Sequence, residues 1–218
     1  VVAAGLTFRD RLLFNGIAPQ AAGLGCDCAG YVAATGPGVT GFAVGDPVIA
    51  LADSPIADSV TVSADSVAPA PCLDLLDAAT MPVPYLTALA GLGEISAHDC
   101  VLVHQAASAT GQAALAVIRR AGARAIVTGS AKRHPRFAGT GVATVLDSRN
   151  PAGWTGKLAG VTVAFGAFDD NALAQLDGIR VVNLSKQAAA HFDLDRISVS
   201  EKRRLMSLPQ RTGIQRSG

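Results

Sequence analysis

The chain has 218 residues, half of them hydrophobic, 16% charged, with a formal net charge of +1. That length suits one large or two small domains, and so even a charge balance argues against a nucleic-acid-binding surface. No apolar run approaches the roughly 20 residues of a spanning helix and no secretory leader opens the sequence, so a cytoplasmic protein without a membrane partner is expected.

Cys26, Cys28, Cys72 and Cys100 are too sparse for a disulfide framework, and Cys26-x-Cys28 lacks a second ligand pair for zinc, so buried free thiols are expected. The chain opens on Val1 rather than Met, inside a run that reads as a strand, which predicts a domain cut from a longer polypeptide. Over the first ninety residues, Gly and Pro recur at short intervals between brief β-rich runs. Tyr31–Ala34, Pro47–Leu51 and Ser59–Val62 are strand candidates, separated by turns at Gly36-Pro37-Gly38 and Gly45-Asp46. From Leu73 the pattern turns helical, over Leu73–Ala79 and Pro84–Leu92.

Cys100–His104 is a short apolar run suited to a buried parallel strand. Ala113–Arg120 has helical spacing and ends in two arginines before Ala121-Gly122, a helix stop, and Ala123–Thr128 reads as a second strand. These three make a βαβ unit, whose helix N-terminus offers free N–H groups to a pyrophosphate if glycines let the backbone come close. Of such glycines the connecting run His104–Gln112 keeps only Gly111. Further strands at Val142–Leu146, Val161–Phe165 and Ile179–Asn183 alternate with polar helical stretches, as a doubly wound parallel sheet requires. From Glu201 to the end, Lys202, Arg203, Arg204, Arg211 and Arg216 face one acid, which reads as a mobile basic tail.

Ala3–Asp10, Leu24–Gly30, Gly36–Asp46 and Pro82–Ala88 closely resemble the enoylreductase domain of modular polyketide synthases, within the medium-chain dehydrogenase/reductase superfamily. The likeness is dense from residue 3 to about 130. It implies an α/β fold: a β-rich, GroES-like, substrate-type module over 1–92, then a Rossmann-like parallel-sheet domain over 93–186, shortened in its C-terminal half, with 187–218 as tail or linker. The family reduces a trans-2-enoyl thioester on an acyl carrier protein, by hydride from NADPH at Cβ and protonation at Cα.

Residue by residue, the resemblance places the cofactor site on Ser108, Ala109, Thr110, Gly111, Ser130, Lys132 and Arg133. The family loop resembles Ala-Ala-Gly-Gly-Val-Gly where this chain has Ala106–Gly111, so two glycines have become Ser108 and Ala109. A side chain where φ must be positive costs roughly 1–2 kcal/mol, and each displaced charge-assisted hydrogen bond about 1.5–3 kcal/mol. Together they weaken binding by about two to four orders of magnitude. The alternative is that the Ser108 hydroxyl serves the phosphate itself. Gly129–Arg133 carries no acid for a ribose hydroxyl and has bases suited to a 2′-phosphate, so NADPH is the cofactor if any binds. Lys132 is the proton-donor candidate, with Arg133 in its place after a one-residue shift; a solvated helix start is the other reading of both.

Other family features are missing. A companion Asp falls on Ala152, an active-site Tyr on Ala18, an Asn-Ser-Leu run is replaced by Phe165–Ala167 and a Gly-Lys by Leu184-Ser185-Lys186, and the segment that returns to the first module looks shortened or absent. Zinc relatives show Gly-His-Glu where this chain has Gly25-Cys26-Asp27, so no metal is expected. These departures predict a degenerate domain without a cofactor, kept as a structural or interaction element beside ketoreductase, dehydratase or acyl carrier protein partners. The alternatives are a working NADPH-dependent enoyl-thioester reductase and a pocket repurposed for an acyl-pantetheine chain.

Overall fold

A computed structural model describes residues 1–17, 23–70, 73–137 and 140–184. Ala18, Cys72, Ser185, Lys186 and the predicted tail at 187–218 lie outside the described residues. The chain folds as two compact units that divide after Val83.

In the first unit, strands β1 (Ala3–Gly5), β2 (Asp27–Tyr31), β3 (Pro47–Leu51) and β4 (Val67–Pro69) form an antiparallel sheet in that order. Pro47–Leu51 is a strand as expected; the other two candidates are not. Val32 donates to Asp46 O and accepts from Gly45 N–H, closing a loop rather than extending a ladder, and the strand is instead the preceding Asp27–Tyr31. Along β3, Val48, Ile49 and Ala50 pair with Pro69, Ala68 and Val67, so that edge is taken and Ser59–Val62 stays outside the ladder. Short helices α1 (Phe8–Phe14) and α2 (Leu75–Ala78) accompany this sheet.

Two carboxyl groups are buried in this unit, Asp10 at 4% exposure and Asp27 at 1%. Asp10, in the first turn of α1, accepts from Thr7 N–H at 2.6 Å, Thr7 Oγ1 at 2.8 Å and Gly25 N–H at 2.7 Å. Burial pulls its pKa up, but these donors outweigh burial and hold it below the ordinary value. Asp27 has less help. Its Oδ2 accepts from Val83 N–H at 2.9 Å while its buried Oδ1 has no partner, and burial pushes its pKa up to about 6. The helix dipole at Val83 favours the anion by about 0.3–1 kcal/mol, whereas burying an ion costs several kcal/mol; desolvation wins.

Helix α3 (Pro82–Leu92) begins at the division between the units. The second unit is a five-stranded parallel sheet ordered β7 (Thr144–Asp147), β6 (Arg124–Gly129), β5 (Cys100–Val103), β8 (Val163–Gly166), β9 (Arg180–Asn183). Side chains alternate between its faces. Cys100, Leu102, Ile126, Leu146 and Ala164 join Trp154, Val161, Phe168, Ala172 and Leu176 in one core cluster. Helix α4 (Ala109–Arg120) packs on β5 and β6, burying Ala113, Ala114, Leu115, Val117 and Ile118, and Gly122 at φ +71 ends the turn that follows it. The covering is completed by α5 (Asp170–Leu173) and by 3-10 turns at Ala131–Phe137 and Pro151–Trp154.

Leu102 is fully buried at the centre of this sheet. Leu102→Ala is expected to lower the unfolding free energy by about 2–5 kcal/mol, the range for emptying a closed core position, as measured by urea denaturation.

Candidate functional site

The strand order of the second unit runs outward from β5 to β7 and then restarts at β8 on the other side. Parallel sheets bind ligands at such a reversal, in the crevice beyond the strand ends. The segment His104–Ser108 leaves β5 there, and α4 starts at Ala109, four residues before the predicted helical run.

The predicted backbone strain at Ser108 and Ala109 is absent. Ser108 has φ −74° and ψ 163°, an ordinary N-cap geometry, and Ala109 is the first helical residue. Among the described residues, the side-chain-bearing positions with positive φ are Ser54 and Gln105, at φ 54 and φ 51. The sharp bend therefore falls at Gln105, and the steric cost assigned to Ser108 and Ala109 on conformational grounds does not arise. Gly111 is required for a different reason: a Cβ there would lie 2.6 Å from Ala106 Cα, so it sets how closely helix and loop approach. Ser108 Oγ accepts from Gly111 N–H at 3.1 Å, and Gln112 Nε2 donates to Ala106 O at 2.8 Å. A side chain thus satisfies one of the donors that a helix N-terminus offers to an anion.

Sequence reasoning passed over the residues that hold this loop. Thr128, fully buried at the end of the apolar run of β6, accepts from Gln105 N–H at 3.0 Å and lies 2.7 Å from His104 Nδ1. The Thr128 hydroxyl thus holds both the Gln105 backbone and the His104 ring, its oxygen having two lone pairs and one proton to share between them. The His104 ring stacks on Phe168 at 5.0 Å and meets Trp154 edge-on at 5.5 Å. Phe168 is pinned in turn by Asn183, which accepts from its N–H at 3.0 Å and donates to its carbonyl at 3.3 Å. A polar residue closing an apolar strand run, as Thr128 and Asn183 both do, was the available signal.

The remaining site residues are spread along the same edge. Ser130, half-buried, and Lys132 and Arg133, both exposed, share the turn that follows β6, where Arg133 N–H donates to Ser130 O at 2.7 Å. Ala152 is exposed on the turn after β7. Gly166 has φ +147, and a Cβ there would meet His104 Cβ at 2.7 Å. In the first unit, Arg9 Nη1 donates to Cys26 Sγ at 3.1 Å. Among the described residues no three His, Cys, Asp or Glu side chains gather as a metal ion would need, and no helix is long and apolar enough to cross a membrane.

Burial depresses the His104 pKa to about 4, against a smaller upward pull from Asp169. Because the folded value lies below the unfolded one, this group's stabilisation is complete above the unfolded pKa near 6.5 and is lost as pH falls through about 4. Between pH 7 and 4.5 the wild type should lose about 2–3 kcal/mol relative to His104→Asn, read as the difference between their urea unfolding free energies.

Comparison with known proteins agrees with this architecture. Residues 1–71 match the alcohol dehydrogenase GroES-like domain family. The chain is 40% identical over 138 residues to erythronolide synthase EryA2 of Saccharopolyspora erythraea, covering 62% of this chain and 4% of that protein. It is 38% identical over 162 residues to the mycocerosic acid synthase-like polyketide synthase of Mycolicibacterium smegmatis, covering 70% of this chain and 8% of the synthase. It therefore spans only a small part of each synthase. Among solved structures, CurK enoyl reductase superposes with a TM-score of 0.75 at 26% identity, covering 94% of this chain and 74% of that one. Escherichia coli quinone oxidoreductase complexed with NADPH gives 0.75 at 22% identity, covering 94% of this chain and 75% of that one, a likeness of fold alone. Residues 1–71 thus belong to the alcohol dehydrogenase GroES-like domain family, and the chain as a whole has an enoylreductase-like, medium-chain dehydrogenase/reductase fold similar to stretches of polyketide synthases.

Proposed function

We propose that this domain has lost hydride chemistry and serves as a structural or interaction element of a polyketide synthase module, beside ketoreductase, dehydratase and acyl carrier protein partners. The observation that carries this reading is the internal cap of α4: Ser108 Oγ takes the Gly111 N–H that a pyrophosphate oxygen would otherwise receive. Ser108 and Ala109 also place Cβ atoms where the family's loop has bare backbone, so the residues present do not fit the phosphate contact of NADPH. Ala152 supplies no carboxylate after β7, and Phe165–Ala167 supplies no side-chain amide or hydroxyl at the end of β8. Several changes fall on one ligand.

One observation favours the second reading, an active NADPH-dependent enoyl-thioester reductase. The relaxed φ of Ser108 shows no conformational penalty at the replaced glycines. In that reading Ser108 rotates its hydroxyl to the phosphate, and Lys132 either joins Ser130 and Arg133 on the 2′-phosphate or is the proton donor, because those two roles lie at opposite ends of NADPH.

Isothermal titration with NADPH separates the two. The first reading expects no binding in the low micromolar range, a gain of roughly ten- to hundredfold in the Ser108→Gly, Ala109→Gly double variant as contact energy of about 1.4–3 kcal/mol is restored, and little reduction of a crotonyl-pantetheine substrate by either protein. Low-micromolar binding by the wild type with turnover near once per second, in the ordinary enzyme range, establishes the second reading instead.

A further inference from the structure

Asp27 stands apart from everything the phosphate loop explains. It occupies the first position of β2, opposite Gly5 of β1 and Leu51 of β3, and its residue is 1% exposed. Its carboxyl reaches past the sheet to the first turn of α3, where Oδ2 accepts from Val83 N–H at 2.9 Å, while Oδ1 is buried without a partner. Gly5 makes the room for this. A Cβ at Gly5 would lie 2.4 Å from Ala79 O and 3.4 Å from Asp27 Cγ, so the carboxyl, the Gly5 backbone and the chain just before α3 meet at one tightly packed point.

We propose that Asp27 is a proton-operated fastener: protonated, it locks β2 to the start of helix α3, and ionised, it loosens that join. The neutral carboxyl accepts from Val83 with one oxygen and carries its proton on the other, so no bare anionic oxygen is enclosed. The Val83 bond itself is stronger to the carboxylate, but the cost of enclosing a charged oxygen with no second donor exceeds that gain. Among the described residues no neighbouring cation relieves it. The nearest ionisable groups are Asp10 of α1, whose negative charge opposes ionisation, and the thiols of Cys26, just before β2, and Cys28 on β2 itself; Arg9 of α1 spends its guanidinium on Cys26. Strands β1 and β3 carry no titratable side chain, α2 offers only the exposed Asp77, and α3 only Tyr85.

Burial raises the carboxyl from 3.8 to about 6, so its stabilisation is complete below the unfolded pKa and is lost as pH rises through about 6. Amide exchange at Val83 in the full chain, corrected for the intrinsic rate at each pH, reads this join directly. Protection of Val83 N–H should fall roughly tenfold or more from pH 4.5 to 7.5, and Asp27→Asn, neutral at every pH, should flatten the profile. The carbon-13 titration of the Asp27 carboxyl in the wild type needs no variant and should give a midpoint near pH 6. A midpoint below 4, or a Val83 profile that falls equally in Asp27→Asn, overturns the proposal.

Discussion

The first turn of helix α4 lies against the loop leaving β5 because Gly111 carries no side chain, a Cβ there being 2.6 Å from Ala106 Cα. The loop geometry follows from that approach. The chain must leave β5, turn and enter the helix within five residues, and the bend is taken up by Gln105 at φ 51. A left-handed side-chain-bearing residue costs about 1–2 kcal/mol, but each Val, Leu or Ile buried by the helix returns about 1.5–3 kcal/mol. Leu115, Val117 and Ile118 alone outweigh the strain. The bent residue is also tied down, through its N–H to the Thr128 hydroxyl.

The second unit was legible in the sequence because its inner strands β5, β6 and β8 are buried on both faces, so each appears as a compact apolar run whatever its neighbours. Cys100–Val103 and Arg124–Gly129 lie within a residue or two of where their runs place them. The first unit was harder. Its central strand Asp27–Tyr31 contains an acid and a glycine, the residue types that usually mark turns, and both are there for local reasons: Asp27 for Val83, Gly30 because a Cβ would meet Val1 Cα at 3.0 Å. Composition reads such a strand as a loop, and shifts the prediction to the next apolar residues. The family motifs located the phosphate loop, but a φ angle is a property of the whole turn. Sequence pattern assigned the left-handed residue to the lost glycines, whereas the structure puts it at Gln105.

Asp27 and His104 show one problem met twice. Each is an ionisable side chain almost wholly withdrawn from water, and in each desolvation is the leading cause of a shift toward the neutral form. They differ in the company they keep. His104 has a hydroxyl on one nitrogen and aromatic rings around it, so the neutral ring is well accommodated. Asp27 has a single backbone donor. Because one is an acid and the other a base, acidification favours the packing around Asp27 and opposes the packing around His104. Within the first unit Asp10, held below its ordinary value, opposes acidification as His104 does, so the two buried carboxyls of that unit pull in opposite directions.

Trp154, the sole tryptophan of the chain, is buried in the core of the second unit with its indole N–H on Asp147 O at 2.8 Å and its ring edge-on to His104. Emission excited at the red edge of the indole band, beyond the absorption of Tyr31 and Tyr85, therefore originates from the parallel-sheet unit, and the first unit is silent there. A fluorescence melting curve reports when the strands around β5 come apart, while far-ultraviolet circular dichroism reports both units together. Any gap between the two midpoints measures how independently the halves of this molecule unfold.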